Sequence, residues 1–208
     1  MGSVDPSFVP FGKPRAERAD AVRNREHLLR TAREMLAELG ADKVTMDGLA
    51  ERAGLGKGTV FRRFGTRAGI FRALLDADER DFQEQVLSGP PPLGPGAEPA
   101  ERLIAYGRAR IAFILDHHAI FRAGMERHQS MPPGEPGVSQ LHIRALLGQA
   151  RMEGPGLTAL SLQLTAALEG PLLLPASRLW DAENPPDAHE LERFLGDGWQ
   201  ALIERVMR

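Results

Sequence analysis

Cysteine is absent from this 208-residue chain, and tyrosine occurs once. The first absence removes disulfides, thiolate metal sites, cysteine nucleophiles and thiol redox chemistry together. A large excess of one charge is also missing: 26 basic residues face 28 acidic ones, a formal net charge of -2. The chain as a whole is therefore not a basic nucleic-acid binder. Long apolar runs are lacking too. The opening MGSVDPSFVPFGKPRAERAD has no apolar segment of signal-peptide type, and the longest low-charge stretch, 154–177, is broken by Gly154, Pro155, Gly156, Gly170, Pro171 and Pro175. The expectation is a cytoplasmic protein without membrane partners.

What is present is an apolar fraction of 42%, enough for a sizeable core. The small net charge conceals a split. Residues 1–80 hold 15 basic and 12 acidic residues, whereas residues 81–208 hold 11 and 16. Such asymmetry points to different partners for the two parts.

Runs that alternate with period two are wanting as well, so strands are not expected. The apolar spacing predicts an all-α protein of about nine helices. Residues 1–20, aperiodic and with three prolines, read as a flexible arm. A helix over 24–39 follows from Leu28, Leu29, Ala32, Leu36 and Leu39, and Gly40 ends it. Thr45 is placed to cap a second helix with Leu49, Ala50 and Ala53 inward. A third, at about 57–62, turns Val60 and Phe61 inward. A fourth, from Arg67 into the 80s, buries Ile70, Phe71, Leu74, Leu75 and Phe82. Five prolines between Ser88 and Pro99 forbid a helix there. Further helices are expected at 101–115, 119–128, 138–152, 157–169 and 188–207, with Gly170-Pro171 ending or bending the fourth of these. The domain reading is an arm at 1–20, a helix-turn-helix domain at 21–75 and a larger helical domain at 76–208.

One constellation stands out. Residues 46–64 read MDGLAERAGLGKGTVFRRF, which is helix, glycine turn, short helix. From Arg52 through Arg72 there are six basic residues, Arg52, Lys57, Arg62, Arg63, Arg67 and Arg72, and no acidic one. That is the charge a phosphate backbone requires. The bland alternative is a solvated basic face, and the turn geometry argues against it.

The stretch LLRTAREMLAELGADKVTMDGLAERAGLGKGTVFRRFGTRAGIFRALL resembles the DNA-binding domain of the TetR family of bacterial transcriptional regulators. The resemblance covers about 50 residues. It departs from the usual pattern at Gly56, Phe61, Arg63, Arg67 and Ala68, where the family commonly has a hydroxyl residue, a tyrosine, a histidine or tyrosine, a lysine and an acidic residue. What it implies is an all-helical homodimer that binds double-stranded palindromic operator DNA as a repressor and lets go when a small-molecule effector binds. On that reading Lys57, Thr59 and Arg62 contact bases or the groove, Phe61 lies on the same DNA-binding face, and Thr45, Arg63 and Arg67 contact phosphate. The dimer seam is expected from Leu160, Leu164 and Leu168 with Leu195, Trp199, Leu202 and Val206. The two recognition helices would then sit about 34–36 Å apart.

Tyr106, Phe113, His117, Phe121 and Met125 trace one helical face, and His118 lies beside it. They read either as a plain core stripe or as the wall of a mostly apolar effector cavity. Arg108, Arg110 and Arg122 leave room for an anionic effector if one turns inward. Adjacent His117 and His118 point about 100° apart on a helix, which disfavours a shared metal. Serines lack a GxSxG setting, and no glycine-rich loop follows a strand. An enzyme, a metal and a cofactor are thus not expected. The competing reading from another class is a helical interaction protein that kept the fold and lost DNA binding.

Overall fold

The computed structural model describes residues 15–118, 120, 123, 137–152, 154, 156–173 and 187–208, with backbone alone at 15–19 and 171–173. Among them are eight α-helices and no strands: α1 (Arg15–Leu39), α2 (Met46–Arg52), α3 (Lys57–Phe64), α4 (Arg67–Ser88), α5 (Pro99–Asp116), α6 (Val138–Gln149), α7 (Gly156–Leu173) and α8 (Ala188–Val206). A single 3-10 turn, Ala41–Lys43, joins α1 to α2. The fold is all-helical. The helix expected at 119–128 falls almost entirely outside the described residues. None of the helices described is long and apolar enough to cross a membrane.

Two compact units divide between Leu74 and Leu75. In the first, α1 starts at Arg15, nine residues earlier than the apolar stripe suggests, so residues 15–20 of the expected arm are helical. The segment RAERAD is rich in helix formers but has no large apolar residue to mark a buried face. The core of this unit is Leu28, Leu29, Ala32 and Met35 of α1, Leu49 and Ala50 of α2, Val60 and Phe64 of α3, and Ile70, Phe71 and Leu74 of α4.

In the second unit, α5 packs along α8 and against α6 and α7. The closest approach is at Gly107, where a Cβ would lie 1.9 Å from Trp199 Nε1. The indole N–H donates to the Leu103 carbonyl at 2.8 Å, so the ring lies flat on α5 only because position 107 has no side chain. α7 continues through Pro171 to Leu173, so Gly170-Pro171 does not terminate it. α8 opens with a capping box in which Asp187 accepts from the Glu190 amide and Glu190 reaches back to the Asp187 amide.

Candidate nucleic-acid interface

The basic constellation is built outward from the turn between α2 and α3. Thr45 Oγ1 accepts from the Gly48 amide at 3.0 Å and so caps α2. The turn itself needs Gly54, whose φ of 64° lies in the left-handed region. His27 of α1 fastens it from behind, with Nε2 3.0 Å from the Ala53 carbonyl. Gly56 then precedes α3 without a side-chain cap. The first turn of α3 is open on one side, and Asp47, Gly56, Lys57, Gly58, Thr59, Phe61 and Arg62 line a shallow depression there.

α3 buries Val60 and Phe64. Phe61, expected to turn inward, is instead 64% exposed. The spacing explains this correction: 60 and 64 lie one helical turn apart on the same face, and 61 is rotated about 100° away. Phe61 therefore shares the outer face with Lys57, Arg62 and Arg63, all exposed, and with half-buried Thr59. Lys57 Nζ donates to Asp47 Oδ2 at 2.8 Å, an ion pair exposed on both sides. Arg62 Nε reaches the Gly58 carbonyl at 3.3 Å, and Arg63 donates to the Ala21 carbonyl of α1 at 3.1 Å.

Arg67 differs from the others. It donates to the Val44 carbonyl at 2.8 Å and the Ala41 carbonyl at 2.6 Å, and its guanidinium lies 5.0 Å from the centre of the Phe71 ring. Through Nε and one terminal nitrogen it ties the first turn of α4 to both sides of the 3-10 turn. Arg52 is held by Glu38 through two N–H donors, at 2.7 and 2.6 Å, and this contact draws the Glu38 carboxyl below its usual range. Of the six cations, Arg52 and Arg67 are the ones held most fully within the protein, and Lys57, Arg62 and Arg63 are exposed on α3.

The residues expected to face an effector are divided by the second unit. Tyr106 is wholly buried, and its hydroxyl donates to Ser139 Oγ at 2.9 Å. Ser139 in turn donates to Glu169 at 2.6 Å. Burial pushes the Tyr106 phenol up to about 12. Phe113 is buried and stacks on His117 at 4.2 Å, and His117 Nε2 lies 3.1 Å from Asp78. Phe113 and His117 do line a groove of about 400 Å³, but Asp78, Asp81 and Asp116 share it, so it is not the mostly apolar wall expected. His118 is exposed. Phe121 and Met125 lie outside the described residues. For Tyr106 the plain core reading fits: Phe82 packs on its ring at 5.9 Å and His142 at 4.6 Å.

The expected dimer seam is likewise drawn inward. Leu164, Leu168 and Trp199 are buried in the unit's own core, and Leu160, Leu195, Leu202 and Val206 pack half-buried against it. Leu164, Leu168 and Trp199 thus face the chain's own interior, while Leu195 and Leu202 also line an open groove. The outer sides of α7 and α8 instead expose Leu162 (56%) and Phe194 (60%).

Sequence reasoning did not single out the polar ladder inside the second unit. Arg110, one of three arginines left open, turns inward and meets Glu79 at 2.5 Å and Glu169 at 3.3 Å. Arg102 is 8% exposed, and its one hydrogen bond among the described residues, to the Val86 carbonyl, is long at 3.4 Å. Among the described residues, the buried Nε of Arg102 and Nε2 of His142 lack partners. Burial, aided by the charge of Arg102, pushes the His142 imidazole down to about 4, so it is neutral at pH 7. The spacing of Arg102, Tyr106 and Arg110, four residues each, was the available signal: three polar residues on one helical face.

A glycine-bounded turn that presents a short basic helix defines the first unit as a helix-turn-helix domain. Residues 28–74 match the family described as bacterial regulatory proteins, tetR family. A curated relative, the DNA-binding transcriptional repressor TetR of Mycobacteroides abscessus, is 36% identical over 60 residues, 29% of this chain and 32% of that protein. The chain thus spans about a third of the length of the curated relative it matches. The solved structure of a putative TetR-family transcriptional regulator from Mesorhizobium loti is similar over 93% of this chain and 98% of that one, at a TM-score of 0.52 and 16% identity. That likeness is one of fold. The similarity to the tetR family is thus carried by residues 28–74.

Proposed function

We propose that the protein is a transcriptional regulator that binds palindromic operator DNA as a homodimer and releases it when a small ligand occupies the second unit. The observation that carries this reading is the outer face of α3. Lys57, Thr59, Phe61, Arg62 and Arg63 project from a helix whose other side is anchored by Val60 and Phe64. A rigid helix with cations, a hydroxyl and an aromatic ring on its free side suits the major groove. Arg62 and Lys57 are assigned to base edges or the groove, and Arg63 to phosphate. Arg67 and Thr45 act by holding the helix-turn-helix in shape, Thr45 keeping its hydroxyl hydrogen for a phosphate oxygen. Dimerisation is assigned to the outer sides of α7 and α8, where Leu162 and Phe194 lie exposed and a groove runs between Ala167, Leu195, Gly198 and Leu202.

The test is binding to duplex DNA flanking the protein's own gene, titrated from about 50 to 200 mM salt. Arg63→Ala is expected to flatten the salt slope by about 1 and to weaken binding alike on all sequences, whereas Arg62→Ala should also blunt sequence preference. An unchanged slope in both variants, or a monomer by light scattering at micromolar concentration, would contradict the proposal.

A further inference from the structure

Along the inward face of α5, Arg102, Tyr106 and Arg110 follow one another at four-residue intervals. Two of the three are fully served. Arg110 lies between Glu79 and Glu169, and Tyr106 reaches Glu169 through Ser139. Arg102 is as deeply placed but meets no carboxylate among the described residues, and its Nε is buried without a partner. One turn along α6 from Ser139, His142 packs its ring against Tyr106, and its buried Nε2 also lacks a partner. A buried guanidinium without a counter-charge is rare because desolvation penalises the ion heavily. Two unserved nitrogens of this kind, on facing helices, call for a physical account.

We propose that Arg102 and His142 form the polar end of a buried ligand subsite between α5 and α6 that takes the carboxylate of a small, otherwise apolar acid. The Nε side of a guanidinium grips a carboxylate with parallel N–H donors. A neutral imidazole supplies one more N–H if its Nε2 carries the proton. One negative charge balances the single charge of Arg102, so a monoanion fits and a polyanion would bury surplus charge. Val86, Leu103, Ile143 and Leu146, near Arg102 and His142 in sequence or on the helix that Arg102 reaches, belong to the apolar core, which suits a hydrocarbon or aryl body. The subsite rests on the ligand-responsive reading above and gives that ligand a chemical class.

The experiment uses the full-length chain without DNA. Straight-chain acids from hexanoate to dodecanoate and phenylacetate are titrated by calorimetry and thermal shift, beside the matched alcohols and octane-1,8-dioate. At least one monocarboxylate should bind at least tenfold more tightly than its alcohol and than the dicarboxylate. Arg102→Met should lose that preference and raise the melting temperature of the unliganded protein, since it removes a buried unpaired charge. Arg102→Lys should keep part of the preference, and His142→Phe should weaken acid binding severalfold. Equal affinity for acids and alcohols, no binding by any acid in the panel, or undiminished acid binding by Arg102→Met would overturn the proposal; should that variant fail to fold, the acid-to-alcohol comparison on the wild type and Arg102→Lys decide it. DNA binding measured in parallel without acid keeps the two readings apart. A chain that binds DNA but no acid loses only the subsite, and one that binds acid through Arg102 but no DNA loses only the regulator.

Discussion

The two units handle charge in opposite ways. In the first, the ion pairs lie at the surface: Arg52 with Glu38 and Lys57 with Asp47 are exposed pairs, and Arg62 and Arg63 face outward. In the second, the ladder through Glu79, Arg110, Glu169, Ser139 and Tyr106 lies inside, and the Arg110 side chain is only 12% exposed. Surface charges stay hydrated and available to an external polyanion at little cost to stability. Buried ones are held by their partners, and removing one partner leaves the other uncompensated. The contrast implies that substitutions in the first unit act mainly on binding and those in the second mainly on folding.

The strongest way to break that contrast is at Arg110. Arg110→Met leaves Glu79 and Glu169 facing each other without their shared cation, and it also removes the cation from over the Phe82 and Phe113 rings. A loss of about 3 kcal/mol is expected in urea unfolding. A change under about 1 kcal/mol would mean that the ladder is solvated like the surface pairs. Next in size is Gly107→Ala, which drives a methyl group into the Trp199 indole and should cost about 2 kcal/mol through overpacking. Quenching and exposure of Trp199 fluorescence would report the same displacement.

A smaller effect comes from pH. His142 is held below its ordinary value, at about 4 when folded, chiefly by burial. The unfolded chain therefore takes up a proton first as the pH falls. The stability this neutral imidazole contributes is fully present above about 6.5 and is lost progressively down to about 4. With its partial exposure allowed for, roughly 1 kcal/mol should disappear across that window, and His142→Phe should flatten that part of the profile.

How much could be read in advance differs between the units for the same physical reason. The helix-turn-helix is written in local signals. Thr45 caps, Gly54 turns and basic residues recur on a short helix, and each is decided within a few residues of itself. Of the local errors, Phe61 came from counting an aromatic as core where the spacing of Val60 and Phe64 already fixed the buried face. The second unit is decided by which helices meet. Nothing near Arg110 announces that Glu79 and Glu169, 31 and 59 residues away, will flank it. Leu164, Leu168 and Trp199 gave a clear apolar stripe, but a stripe does not say whether its cover is the chain's own α5 and α6 or a second copy.

The finest test of the contrast concerns a single surface pair. Lys57 stands at the start of α3 and is bonded to Asp47 of α2 at 2.8 Å. For Lys57 to meet DNA it must leave that carboxylate, and the carboxylate itself repels phosphate. Asp47→Asn removes both obstacles while retaining a polar side chain in the first turn of α2. Exposed pairs of this kind are worth about 0.2–1 kcal/mol, so DNA affinity at low salt should rise by about two- to fivefold. The gain should fade toward 200 mM salt as screening weakens both contributions. Unfolding stability should change little, because the pair is exposed on both sides. If affinity falls instead, Asp47 is positioning Lys57 for the groove, and the surface pair is then an organised part of the interface like the buried ladder of the other unit.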